Sequence, residues 1–178
     1  MLSKGPGILQ KAKRLFMTAL FSSIIFIINF FVPPPINSLI MVVQAVVLAL
    51  AALFVGKAGA TYVGLVGGTL SALSRPAFGP FTFVFTLVYG VLVDVFFLAF
   101  GVAAPEDTVN MRKVILAMTL STAIIGLISY YAFAVSTNIL PLNMIMTALM
   151  LFLSVGSGIS AGFAAAYLWN RYLRNIKL

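Results

Sequence analysis

The chain is predicted to be all-α, a single bundle of six transmembrane helices with both termini in the cytoplasm. Three observations predict it. Its 178 residues are 62% hydrophobic and only 8% charged, which leaves little room for a soluble domain. The apolar residues fall into six runs, each close to the ~20 residues that cross a bilayer at about 1.5 Å rise per residue. When the chain is cut at those runs, ten of its eleven Lys and Arg residues fall on one side, and the positive-inside rule makes that side cytoplasmic.

The first run, 16–32, follows Lys4, Lys11, Lys13 and Arg14. A basic start of this kind also opens secretory signals, but the run lacks a clear small-residue cleavage site, stops at Pro33-Pro34-Pro35 and precedes five further spans, so it is expected to stay as a helix. Thr18, Ser22 and Asn29 share one of its faces, with Ala19 and Ser23 beside them. The second span covers 36–54. The third, 58–73, is short and weakened by Gly59, Gly64, Gly67 and Gly68, yet omitting it would break the charge pattern downstream. The remaining spans are 80–101, 114–135 and 141–167. Lys57, Arg112, Lys113, Arg171, Arg174 and Lys177 then lie inside with the N-terminal cluster, and Arg75 alone lies outside.

The connections are short. Proline fixes φ and disfavours helix at the residue before it, so 32–37 and 74–80 are expected as stiff turns at the outer surface. The inner loop 102–112 carries Glu106 and Asp107 and reads as a polar connector. Small residues recur every fourth position in the third span (Ala60, Gly64, Gly68, Ala72) and in the sixth (Ser154, Gly158, Gly162, Ala166). Such stripes let backbones approach closely where lipid gives no hydrophobic drive to associate; packing inside the bundle is the simpler use, and docking of a partner helix the other.

The inventory argues against an enzyme. There is no His, no Cys and only three acids, so zinc, copper, haem and di-iron sites lack their usual ligands, and no triad or paired-carboxylate site can be assembled. No metal or cofactor is expected. The chain has no phosphate-binding GxxxxGK[ST] loop, which leaves an ion gradient or partner subunits as the energy source for active transport, and a single acid well inside a span favours partner subunits. The positive charges flank the spans, which fits anionic lipid headgroups better than nucleic acid.

That single acid is Asp94, about 10 Å from the inner end of its helix. An acid there has to face protein and meet donors; Lys57, Arg112 and helix-end amides are the structural candidates, and a ligand the other reading. Neutral polar side chains gather instead in the outer half of the bundle. Asn29, Gln44, Thr82, Thr86, Tyr130, Asn138 and Asn143 belong to this group, and Thr82, Thr86 and Tyr89 line one helix face. Phe81 with Phe78, Phe85 and Tyr131 can add ring surface, as small-molecule sites require. Arg75 is either a headgroup or loop contact or a ligand-binding guanidinium.

Six spans, a first helix reading Thr18-Ala-Leu-Phe-Ser-Ser23, a glycine-rich third helix and the fourth-span sequence from Gly79-Pro-Phe-Thr-Phe-Val-Phe-Thr86 through Tyr89-Gly90 and Asp94 to Gly101 together resemble the S component of energy-coupling factor (ECF) vitamin transporters. The Ser74-Arg75-Pro76 segment is similar to the thiamine or hydroxymethylpyrimidine branch of that family. The resemblance implies a membrane subunit that captures a vitamin-like small molecule from outside and docks on a transmembrane coupling protein driven by two ATPases. It implies further that Ala19 and Ser23 contact the coupling protein, with Ser in place of the more usual second Ala, and that Pro33–Pro35 forms a lid. The alternative is a non-catalytic structural or assembly subunit of a larger membrane complex, motivated by the glycine stripes.

Overall fold

The computed structural model of the chain describes residues 8–31, 37–56, 58–74, 79–102, 108–137 and 142–173. They form α1 (Ile8–Phe31), α2 (Asn37–Val55), α3 (Gly59–Ser74), α4 (Gly79–Ala99), α5 (Met111–Thr137) and α6 (Met144–Leu168), closed by a π-helical turn at Trp169–Leu173. No strand occurs among the described residues. Each apolar run lies on one helix. The largest difference is at α1, which begins at Ile8 because Gln10, Lys11, Ala12, Lys13 and Arg14 are good helix formers that carry the helix on past its apolar part.

Lys11–Phe31, Gly79–Ala99, Met111–Ser136 and Met144–Leu173 are long and apolar enough to cross a membrane, and Met41–Val55 is a shorter apolar helix. This is a multi-pass membrane bundle. Contacts between distant residues order its ends. Phe21 of α1, Phe54 of α2 and Trp169 after α6 meet ring to ring, at 5.9 Å and 4.9 Å between centroids. Asn29 of α1 meets Ser71 of α3 toward the opposite end. One end of the bundle, called here the terminal end, therefore holds the start of α1 and the finish of α6; the other is the far end.

α2 runs through the middle and touches all five other helices. From Ala45 to Val55 it buries every residue except the half-buried Val46 and Phe54, as expected for a helix that is apolar all round. Toward the far end it loses cover, with Gln44 half-buried and Val43 exposed.

The small-residue stripes are used inside the bundle. On α3, a Cβ added at Gly64 would lie 2.7 Å from the carbonyl oxygen of Thr86, and one at Gly68 3.3 Å from that of Phe83. Gly90 of α4 sits equally tightly over Ala60, and Gly79 over Ala72, so the whole α3 stripe is the seam with α4. On α6, Ser154 faces Gly126, Gly158 faces Thr122 and Thr119, and Gly162 lies against Ile115, all on α5. Close backbone approach supplies dispersion contacts that bulkier side chains would prevent.

α2 turns into α3 through Gly56, whose φ of +80° ends the helix in the left-handed conformation glycine adopts freely, and Ala58 at φ +64°. Ala58 pays about 1 kcal/mol for that geometry. The turn is held from across the bundle by Asp94, which accepts hydrogen bonds from Ala60 N–H (3.2 Å), Thr61 N–H (2.7 Å) and the Thr61 hydroxyl (2.6 Å). Of the candidate partners for this acid, helix-end amides are the ones it meets among the described residues, and Lys57 lies outside them; α4 thus caps α3 and satisfies orphan donors of its first turn.

Candidate functional site

Packing loosens toward the far end, and α6 shows it most plainly. None of its residues from Met144 to Leu153 is buried, whereas from Ser154 onward it buries Ser154, Gly158, Ala161, Gly162, Ala165 and Ala166. The half of the bundle near the termini is solid, and the other half is open on the α6 side.

Several polar side chains are nevertheless buried within this far half. Asn29 Nδ2 donates to Ser71 Oγ at 3.2 Å, and Ser71 Oγ donates to the Gly67 carbonyl at 2.7 Å. This chain of bonds ties α1 to α3 where both are otherwise apolar. One turn away Gly68 lies against Thr86, which is itself buried, so Asn29, Ser71 and Thr86 form one polar strip across α1, α3 and α4. Three residues further along α4 stands Tyr89, 2% exposed and part of the apolar core. Its hydroxyl is buried and has no hydrogen-bond partner among the described residues. Helical side chains lean toward the N-terminus of their own helix, so the Tyr89 ring is directed from mid-bundle toward the far end, on the side of Thr86.

Aromatic rings flank the strip. Phe81 and Phe85 of α4 both pack on Phe133 of α5, at 5.8 Å and 6.4 Å between centroids, and each is half-buried. Tyr130, one turn from Phe133, is buried and meets exposed Tyr131 edge to face at 5.4 Å. Thr82 is half-buried on the same helix as Thr86. The site residues expected from sequence thus divide. Asn29 of α1, Phe81, Thr82 and Thr86 of α4 and Tyr130 of α5 stand in this half of the bundle, with α4 packed on α5 and α3 packed between α1 and α4, while Tyr89 stands nearer mid-bundle, beside Gly90, which packs on Ala60 at the start of α3. Gln44 approaches from α2, half-buried and with no hydrogen-bond partner among the described residues. Asn143 stands apart: exposed, its Oδ1 accepts from Met146 N–H at 2.7 Å and caps α6. Arg75, Phe78, Asn138 and the Pro33–Pro35 segment lie outside the described residues.

Sequence reasoning missed Ser71 as the partner of Asn29. The signal was present, since the two sit at matching depth on the first and third helices, but nothing in one sequence says that those helices are neighbours. Ser22 is similar: its hydroxyl donates to the Val63 carbonyl of α3 at 3.3 Å, which turns the Ser22 and Asn29 face of α1 inward. Ala19 and Ser23 lie beside that face, one residue round the helix, and are exposed, with the Ser23 hydroxyl returned to the Ala19 carbonyl at 2.9 Å.

No group of three or more metal-ligating side chains occurs among the described residues. The only acid described is Asp94, and it is engaged with α3. Chemically the far half offers hydroxyls, carboxamides and ring faces, which can bind and orient an uncharged planar molecule. Comparison of the chain with protein-family models, with curated proteins and with solved structures gives no match.

Proposed function

We propose that this chain is a substrate-capture membrane subunit. In this reading all six helices cross the cell membrane, the terminal end faces the cytoplasm, and a vitamin-like small molecule enters the far half from outside. The observation that carries the reading is the Tyr89 hydroxyl, buried with no hydrogen-bond partner among the described residues, beside a polar strip and a cluster of rings. A buried donor of this kind has a cost unless a ligand or an ordered water supplies its hydrogen bond, and a ligand that does so gains specificity from it.

The basic residues that flank the helices at the terminal end support the orientation. The chain offers no nucleotide-binding loop, so the energy for release inward is assigned to other subunits, as in the ECF systems that its sequence resembles: a transmembrane coupling protein and two ATPases. The exposed Ala19 and Ser23 face of α1 is a docking surface for that coupling protein in this scheme.

The test is thermal stabilisation of the purified full chain by a panel including thiamine, hydroxymethylpyrimidine, riboflavin and biotin. A binder at 100 times its Kd stabilises by about 2.7 kcal/mol. Absence of any shift across the panel, together with mass spectra showing no retained small molecule, counts decisively against substrate capture.

A second reading is favoured by one observation. The exposed flank of α6 includes Gly156, where an added Cβ would meet nothing within 4 Å, beside exposed Phe152, Ile159 and Ser160. A structural subunit of a larger membrane complex would cover this flank with another helix, and it would co-purify with that complex whether or not ATPases are present.

A further inference from the structure

We propose that the terminal end of the bundle, where α5 starts and the π-helical turn ends, binds the phosphate headgroup of an anionic phospholipid. The site begins with Asn170. Its Oδ1 accepts from Val109 N–H at 2.8 Å and its Nδ2 donates to the Val109 carbonyl at 3.0 Å, so one carboxamide pairs with both backbone groups of a residue 61 positions away. This clamp sets the first turn of α5, which carries Arg112 and Lys113, beside the π-helical turn that carries Arg171, the neighbour of Asn170; the Lys113 amine lies on the side of Gly101, just after α4.

All three cations are exposed, and none forms an ion pair among the described residues. Glu106 and Asp107 precede the clamp in a segment outside the described residues, and in sequence Arg112, Lys113 and Arg171 outnumber them. Arg171 is also held in position. Its guanidinium carbon lies 5.7 Å from the centre of the Tyr167 ring and 5.8 Å from that of Tyr172, and Nη1 donates to the Tyr167 hydroxyl at 2.9 Å. A guanidinium has five N–H donors, so the remainder stay available for a phosphate, and little rotamer freedom is left to lose on binding. The start of α5 adds the positive end of a 27-residue helix, where the Asn110 side chain engages the Arg112 amide.

The neighbouring surface selects a lipid over a soluble phosphate. Phe163 stacks on Tyr167 at 6.2 Å with ring planes 8° apart, and both are exposed on the flank of α6. Leu116 and Leu120 are exposed on α5, the helix α6 packs against. Acyl chains and glycerol have an apolar track leading away from the cations, and Tyr at the boundary is where interfacial rings reside.

The experiment is native mass spectrometry and thermal melting of the full chain in a zwitterionic detergent, titrated with phosphatidylglycerol, phosphatidylcholine or inorganic phosphate. Phosphatidylglycerol is expected to bind and raise the Tm, and the other two to leave it unchanged. R112Q/K113Q/R171Q is expected to lower phosphatidylglycerol affinity at least about tenfold, given that each basic residue near an anionic membrane surface contributes measurably. R112Q/K113Q, which touches only exposed side chains, gives an intermediate loss and guards against misfolding of the triple variant. Phosphatidylglycerol affinity within twofold of the parent in both variants overturns the proposal, and so does equal stabilisation by phosphatidylcholine or by inorganic phosphate.

Discussion

Replacing Asp94 tests the device that holds α3 in the bundle. The carboxylate accepts three hydrogen bonds, from Ala60 N–H, Thr61 N–H and the Thr61 hydroxyl. Losing a helix cap costs about 1 kcal/mol, a negative charge at a partly buried helix start is worth up to about 2 kcal/mol, and donors left unsatisfied away from water cost about 1–3 kcal/mol each. These terms overlap, because the same amides carry the cap and the dipole, so Asp94→Ala is expected to destabilise by about 3–4 kcal/mol. Asp94→Asn retains one carbonyl oxygen that can serve both Thr61 donors but sets its NH2 against Ala60 N–H, and is expected to lose about 1–2 kcal/mol. Equilibrium unfolding in mixed micelles measures both values. Hydrogen exchange at Ala60 and Thr61 locates the effect: these amides should lose protection in Asp94→Ala while the core of α5 keeps it. A change under about 0.5 kcal/mol for Asp94→Ala, or an Asn variant as damaged as the Ala variant, refutes the capping argument.

Other substitutions probe the packing and the site. Gly64→Leu drives a side chain into the Thr86 backbone and should cost at least about 3 kcal/mol, whereas Gly156→Leu meets open space and should stay within about 0.5 kcal/mol of the parent in the same unfolding assay. Tyr89→Phe removes a buried hydroxyl that has no partner among the described residues, so the unliganded chain should be unchanged or up to about 1 kcal/mol more stable, while affinity for any ligand found in the thermal screen falls about tenfold by calorimetry. Asn170→Ala leaves both Val109 backbone groups without their partner and should cost about 2 kcal/mol, with faster exchange at the start of α5. Trp169→Ala empties the ring cluster with Phe54 and should cost about 3–5 kcal/mol by denaturant titration.

Five of the helices were legible from apolar length, and the third from the charge pattern that its omission would break. Each run has its helix, and even the short glycine-rich third run forms α3. The stripes were legible as close-packing faces, but not their partners: Gly64 and Gly158 announce that something approaches, and only the fold says that α4 and α5 do. Asp94 was legible as an acid in need of donors, because charge in an apolar span demands them, while the choice among Lys57, Arg112 and amides depended on how α3 and α4 cross. The site was legible in composition and not in arrangement. A polar residue near a helix end looks alike in sequence whether it caps its own helix, as Asn143 does, or reaches across to another, as Asn29 does. Asn170 gave no signal at all, since a carboxamide beyond the last span reads as ordinary surface.

The third helix has a consequence for how the chain enters the bilayer. It has only 16 residues, is diluted with glycine, and its first-turn amides find their acceptor 33 and 34 positions downstream. A segment of that kind is a poor candidate for independent partitioning from the translocon, whereas α4, at 21 residues, is a strong one. In the six-span arrangement proposed above, the two form a unit of biogenesis, a hairpin committed to lipid together, and a ribosome that has not yet delivered Asp94 holds a third segment with nothing to moor it.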